Sequence, residues 1–231
     1  MRDIEAVFFD FDGTLLDREA SLVKFIEEQY ERFKPELNKV DKQLYIKRFI
    51  ELDARGYVWK DKVYSKLLIE MNIAGVTWQE LLEDYITNFK HYCTGFQNLH
   101  DVLGELKQMG LKMGMISNGK THFQMANIKA LGIEGYFDTI LISEAEGLRK
   151  PDSRIFQKGL DVLAVSASRS IFVGDHPEND VAASKRVGMM GIWKRDDYWY
   201  SAEADYTIED LSELLKIVPK GAFLQDRIKG T

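Results

Sequence analysis

Ala6-Val7-Phe8-Phe9-Asp10-Phe11-Asp12-Gly13-Thr14-Leu15 is the stretch on which the reading of this chain turns. Four apolar residues run without interruption into two aspartates, set two positions apart, and then a glycine. A short, continuous apolar run fits a strand covered on both faces, as in a parallel sheet. Two carboxylates held close repel each other, so their presence at a strand's end works against folding alone. A hard divalent cation, which prefers oxygen ligands, would relieve that repulsion. Asp-Gly is also a common turn pair, so this stretch by itself leaves an ordinary acidic turn open.

Four more runs of the same kind follow, at 112–117, 139–143, 170–174 and 190–193. Between them lie helical patterns over 99–109, 122–131 and 180–187, each followed by a glycine: Gly110, Gly132 and Gly188. Glycine just past the last apolar position stops a helix, because it takes the left-handed conformation cheaply. Strand and helix in repetition predict an open α/β sheet. The alternation breaks over 18–94, where the apolar periodicity is helical throughout. Leu22, Phe25, Ile26, Tyr30 and Phe33 share one face; so do Val63, Tyr64, Leu67, Leu68 and Met71, and again Leu81, Leu82, Tyr85, Ile86 and Phe89. That block is too long for a crossover, and reads as a helical domain inserted into a core made of 1–17 and 95–231. The tail from Pro219 to Thr231 suggests no role.

Composition narrows the function classes. The 231 residues are 45% hydrophobic, enough for a sizeable core. Lys and Arg total 31 against 37 Asp and Glu, a net charge of −6 with no dense basic patch, which argues against nucleic acid as a partner. A single cysteine, Cys93, excludes an intrachain disulfide and a cysteine zinc cluster. No run approaches the ~18 apolar residues of a membrane span, and the acidic N-terminus is no secretion signal. The expectation is a cytoplasmic protein that engages neither nucleic acid nor membrane, as a monomer or homodimer.

Three further clusters fall in turns after predicted strands. Ser117-Asn118-Gly119 precedes a helix, so its hydroxyl and backbone N–H groups suit an anion, or simply cap that helix. Lys150-Pro151-Asp152 offers a cation just before another helix start, where Asp152 suits an N-cap. Gly174-Asp175-His176-Pro177-Glu178-Asn179-Asp180 adds more carboxylates. In open α/β sheets ligands bind beyond the carboxyl ends of the strands, where all of these residues would gather.

The four segments resemble, in order and spacing, the four motifs of the haloacid dehalogenase superfamily, and the helical block stands where that superfamily inserts its type-one cap. The resemblance implies a doubly wound, Rossmann-like parallel sheet with a helical cap, and Mg²⁺-dependent hydrolysis of a phosphate monoester of a small metabolite. Asp10 would be the nucleophile that becomes an aspartyl phosphate, and Asp12 the general acid and base. Mg²⁺ would lie on the carboxylates of Asp10 and Asp175 and the backbone carbonyl of Asp12. Ser117, the backbone near Asn118, and Lys150 would hold the phosphoryl group. Thr14 would orient Asp12, and Asp180 would fix Lys150 or a metal-bound water. Dehalogenating members resemble this pattern without the second aspartate, since halide leaves without a proton; Asp12 therefore favours phosphate chemistry. A sugar phosphomutase and a non-catalytic binding module are the competing readings. Selectivity for the leaving group is expected from the break between helices at Arg55-Gly56-Tyr57-Val58-Trp59-Lys60, with Arg55, Trp59 and Lys60 as its candidates.

Overall fold

The computed structural model describes residues 3–218, so the tail 219–231 lies outside the described residues. The chain forms two compact units, with breaks between Asp17 and Arg18 and between Thr94 and Gly95.

The first unit is built on a parallel sheet of β1 (Ala6–Phe9), β2 (Lys112–Ser117), β3 (Thr139–Ile142), β4 (Ser170–Gly174), β5 (Met190–Lys194) and β6 (Tyr206–Ile208). The spatial order is β3-β2-β1-β4-β5-β6. The chain winds outward from β1 through β2 to β3, then returns to the other side of β1 with β4. Phe9 is thus flanked by Met115 and Val173, and the loops leaving β1 and β4 diverge from adjacent strand ends. Such a reversal opens a crevice at the carboxyl edge, where this fold binds ligands. Five of the six strands follow the apolar runs, with β3 ending one residue early and β5 one residue late. The last strand was not legible: two of its three residues are exposed, so no buried pattern announces it.

Packing on β1 is tight. Phe8 is wholly buried, and glycines make room for its ring: a Cβ at Gly114 or Gly159 would lie 2.3 or 2.9 Å from it. Helices Leu99–Gln108 and Thr121–Ala130 end near Gly110 and Gly132, both left-handed, as the sequence requires. The helix expected over 180–187 starts earlier, at Pro177, and opens with a wide π turn over Pro177–Ala182. Proline needs no N–H partner in a first turn, and His176 Nδ1 accepts from the N–H groups of Glu178 and Asn179, each at 3.1 Å.

The second unit is helical, with its main helices at Arg18–Arg32, Lys42–Asp53, Lys60–Glu70 and Trp78–Asn88. Its interior is aromatic: Phe25 meets Tyr85 edge-on at 5.3 Å, and Phe49 lies 5.2 Å from Tyr64. Asp41 and Thr77 cap two of the helices, Thr77 in a reciprocal pair with Glu80. Among the described residues no helix is long and apolar enough to cross a membrane.

Candidate active site

Asp10 leaves β1 with its backbone N–H on Val173 O at 2.9 Å, so its position is set by the sheet itself. The chain then folds tightly, with the N–H groups of Leu15 and Leu16 both donating to Phe11 O at 2.9 Å. Gly13 has φ of 82°, and a Cβ there would stand 2.6 Å from Asp175 Oδ2. The Asp-Gly pair is therefore more than a turn: glycine is what allows the β1 loop to lie against the carboxylate that follows β4. Gly174 acts similarly for Asp180, whose own Cβ would be only 2.4 Å from a Cβ at that glycine. Asp180 is further fixed by the His176 N–H, which donates to its Oδ2 at 3.0 Å.

Lys150 joins these loops. Its Nζ lies 2.5 Å from Asp10 Oδ1 and 2.6 Å from Asp180 Oδ1. Its backbone is clamped by the Asn118 side chain, which donates to Lys150 O at 3.0 Å and accepts from Lys150 N at 2.9 Å. Asp152 caps the next helix, accepting from Arg154 N at 2.9 Å. Carboxylate oxygens of Asp10, Asp175 and Asp180 all lie within 4.8 Å of one another, and all three residues are buried.

That concentration of charge perturbs its members. Burial pushes the Asp10 carboxyl up to about 6, although Lys150 pulls against it. Burial also drives Asp175 well above the usual carboxylate range, with Asp10 and Asp180 adding repulsion. Burial works against the Lys150 ammonium, yet Asp10 and Asp180 together hold it protonated beyond the ordinary lysine range. Three carboxyl groups face one ammonium, in a pocket of oxygen donors short of positive charge. This donor set fits a hard divalent cation.

Asp12 is half-buried beside this cluster, and its Oδ2 accepts from Gln124 Nε2 at 2.6 Å. The same nitrogen lies 2.8 Å from Ser117 Oγ, at the end of β2. Gln124 was not among the residues the sequence singled out. The available signal was weak: Gln124 and Asn127 are polar residues at buried positions of an otherwise ordinary helix. Thr14, expected to orient Asp12, does not: its Oγ1 is buried and makes no hydrogen bond among the described residues.

The three selectivity candidates belong to the helical unit. Arg55 is half-buried in a left-handed turn (φ 57°) that follows Ala54 (φ 46°), and Trp59 is half-buried at the start of the next helix. Lys60 departs from the expectation. It is 1% exposed and its ammonium is hydrogen-bonded to Asp53, which also accepts from Arg18 at 2.9 Å. An ammonium is costly to bury without a carboxylate, and Asp53 claims this one for the interior of its own unit. Burial would raise Asp53, but Arg18 and Lys60 hold it below the usual carboxylate range.

Residues 7–194 match the sequence profile of the haloacid dehalogenase-like hydrolases, and the chain belongs to that family. A glyceraldehyde 3-phosphate phosphatase of Pyrococcus furiosus is 29% identical, with 95% of each chain covered. One of Methanocaldococcus jannaschii is 38% identical over a shorter match, 50% of this chain and 53% of that protein. Among solved structures, a phosphatase of the same family from Thermococcus onnurineus superposes with a TM-score of 0.67 at 28% identity, covering 94% of this chain and 99% of that one. Within its family the chain is a phosphatase, a phosphoric monoester hydrolase.

Proposed function

We propose that this enzyme hydrolyses the phosphate monoester of a small metabolite through an aspartyl phosphate on Asp10, with Mg²⁺ as its cofactor. The observation that carries the reading is the Asp10–Lys150–Asp180 chain at the carboxyl edge, with Asp175 in the same cluster and Asp12 two residues from Asp10. A pKa of about 6 leaves Asp10 mostly ionised at neutral pH, as a nucleophile must be, and Lys150 orients its carboxylate. Asp10 Oδ2 attacks phosphorus; Asp12 gives a proton to the leaving oxygen and then takes one from the water that cleaves the aspartyl phosphate. Ser117 and backbone N–H groups near Asn118 hold the phosphoryl oxygens, and Lys150 offsets their charge. Asp10 and Asp175, with the Asp12 carbonyl, would hold Mg²⁺, and Asp180 keeps Lys150 in place. When bound, the cation supplies the positive charge that lets an anionic substrate approach a carboxylate cluster.

The full-length likeness to glyceraldehyde 3-phosphate phosphatases supports a three-carbon phosphate as the first substrate to try. Arg55 and Trp59 are assigned to selectivity for the organic part of the substrate. A panel of phosphorylated metabolites, assayed with Mg²⁺ and with a chelator, tests the activity. Rapid acid quench with ³²P-labelled substrate tests the mechanism: label should be recovered on the peptide containing Asp10. Free phosphate released with no labelled peptide under single-turnover conditions would overturn the covalent step. Isomerisation of a sugar phosphate faster than phosphate release would favour the mutase.

A further inference from the structure

We infer that Gln124 is a positioning residue that locks the acid–base carboxylate and the phosphate-binding serine into one unit; the inference rests on the roles proposed for Asp12 and Ser117. Gln124 is 2% exposed, on the helix Thr121–Ala130 that follows β2. Its amide is placed between Asp12 Oδ2, at 2.6 Å, and Ser117 Oγ, at 2.8 Å. The orientation of the amide follows from chemistry: an amide oxygen that close to a carboxylate would set acceptor against acceptor, so the nitrogen faces Asp12.

A primary amide has two N–H bonds, and this geometry commits one to each partner. Two consequences follow. Ser117 Oγ, by accepting from Gln124, has its own hydrogen directed elsewhere, available for a phosphoryl oxygen. Asp12, with Oδ2 held by an amide donor, has its carboxylate oriented through both half-reactions. Gly119 belongs to the same device. A Cβ at that position would lie 2.8 Å from Gln124 Cγ, so the glycine of Ser117-Asn118-Gly119 makes room for the stem that carries the amide. With Thr14 Oγ1 making no hydrogen bond among the described residues, Gln124 supplies the orientation that Asp12 requires.

The test uses full-length enzyme with Mg²⁺ and compares p-nitrophenyl phosphate with the alkyl monoester turned over fastest. Gln124→Leu should lower kcat for the alkyl ester about 10- to 100-fold, the scale of a lost hydrogen bond to a charged group. The loss should be several-fold smaller for the aryl ester, whose leaving group needs less protonation. Gln124→Glu, the same shape with the donor exchanged for a second carboxylate, should be at least as slow on the alkyl ester. Gly119→Ala should reproduce the Gln124→Leu pattern in weaker form. In an Asp12→Asn background, Gln124→Leu should add little on p-nitrophenyl phosphate. If Gln124→Leu proves unfolded by circular dichroism, Gln124→Glu and Gly119→Ala carry the test. Wild-type rates in the folded variants, equal losses on both esters, or a full additional loss in the Asp12→Asn background would overturn the inference. If Asp12→Asn and Ser117→Ala themselves keep wild-type rates, the proposed mechanism fails instead, and the two failures are told apart.

Discussion

Each unit of this protein buries a knot of charge, and the two knots are built to opposite ends. In the helical unit Asp53 lies between Arg18 and Lys60, and one carboxylate shared by two cations sits below the ordinary carboxylate range. In the sheet unit Asp10, Asp175 and Asp180 crowd one ammonium, and Asp10 and Asp175 are driven upward. The first knot closes on itself and serves the fold. The second is left short of positive charge, a state that a fold would not favour on its own account and that a bound cation and substrate can exploit. Burial of charge is thus no mark of function by itself; the sign and size of the imbalance distinguish the two.

The contrast can be broken most sharply at Asp10. Asp10→Asn should retain the circular dichroism of the wild type and lose turnover by at least about 10³-fold, some 4 kcal/mol, measured by phosphate release. More than a tenth of wild-type activity would remove Asp10 from the nucleophile's role. Asp53→Asn should do the reverse. It leaves Arg18 and Lys60 facing each other in the interior, so urea denaturation should show a loss of about 3–5 kcal/mol, against little change for Asp175→Asn.

Adding a cation sharpens the comparison next. Mg²⁺ at a hundredfold over its dissociation constant should stabilise the protein by about 2.7 kcal/mol, seen as a rise in Tm that a chelator reverses. Asp175→Asn should abolish that rise, whereas Asp53→Asn should keep it. Acidity separates the two knots by sign. Asp10 has a higher pKa folded than unfolded, so it takes up a proton on folding, and metal-free protein should gain stability as pH falls from 7 toward about 5, by on the order of 1 kcal/mol. Asp53 has a lower pKa folded, so its contribution is present above the unfolded value and is lost as pH falls through the folded one; below about pH 4 stability should drop. A metal-free stability flat from pH 7 to 5 would contradict the strained state of the carboxylate knot in the sheet unit. The smallest effect is expected in the helical unit's surface: Arg55→Ala and Trp59→Ala should raise KM for the preferred metabolite about 3- to 10-fold, roughly 1 kcal/mol, and leave p-nitrophenyl phosphate nearly unchanged.

The sequence by itself determined the parallel strands and the places where carboxylates, serine and lysine leave them. Strands covered on both faces must be apolar without interruption, and that signal is local: 6–9, 112–117 and 170–174 could be read to the residue. Asp10, Asp12, Lys150, Asp175 and Asp180 were legible in the turns that follow such runs, and Ser117 at the end of one; their expected roles came from the resemblance to the four motifs of the haloacid dehalogenase superfamily. Tertiary structure alone decided what those residues touch. Gln124 is an unremarked helix residue until β1 and the helix after β2 meet, and 112 positions of chain separate it from Asp12. Thr14 has a hydroxyl well placed in sequence that makes no hydrogen bond among the described residues. Lys60 carries a positive charge as Arg55 does, but helix packing delivers its ammonium to Asp53, seven residues away, and so removes it from the surface. Hydrogen bonds and ion pairs depend on distances of a few ångströms between residues remote in the chain, and no local pattern of side chains encodes them.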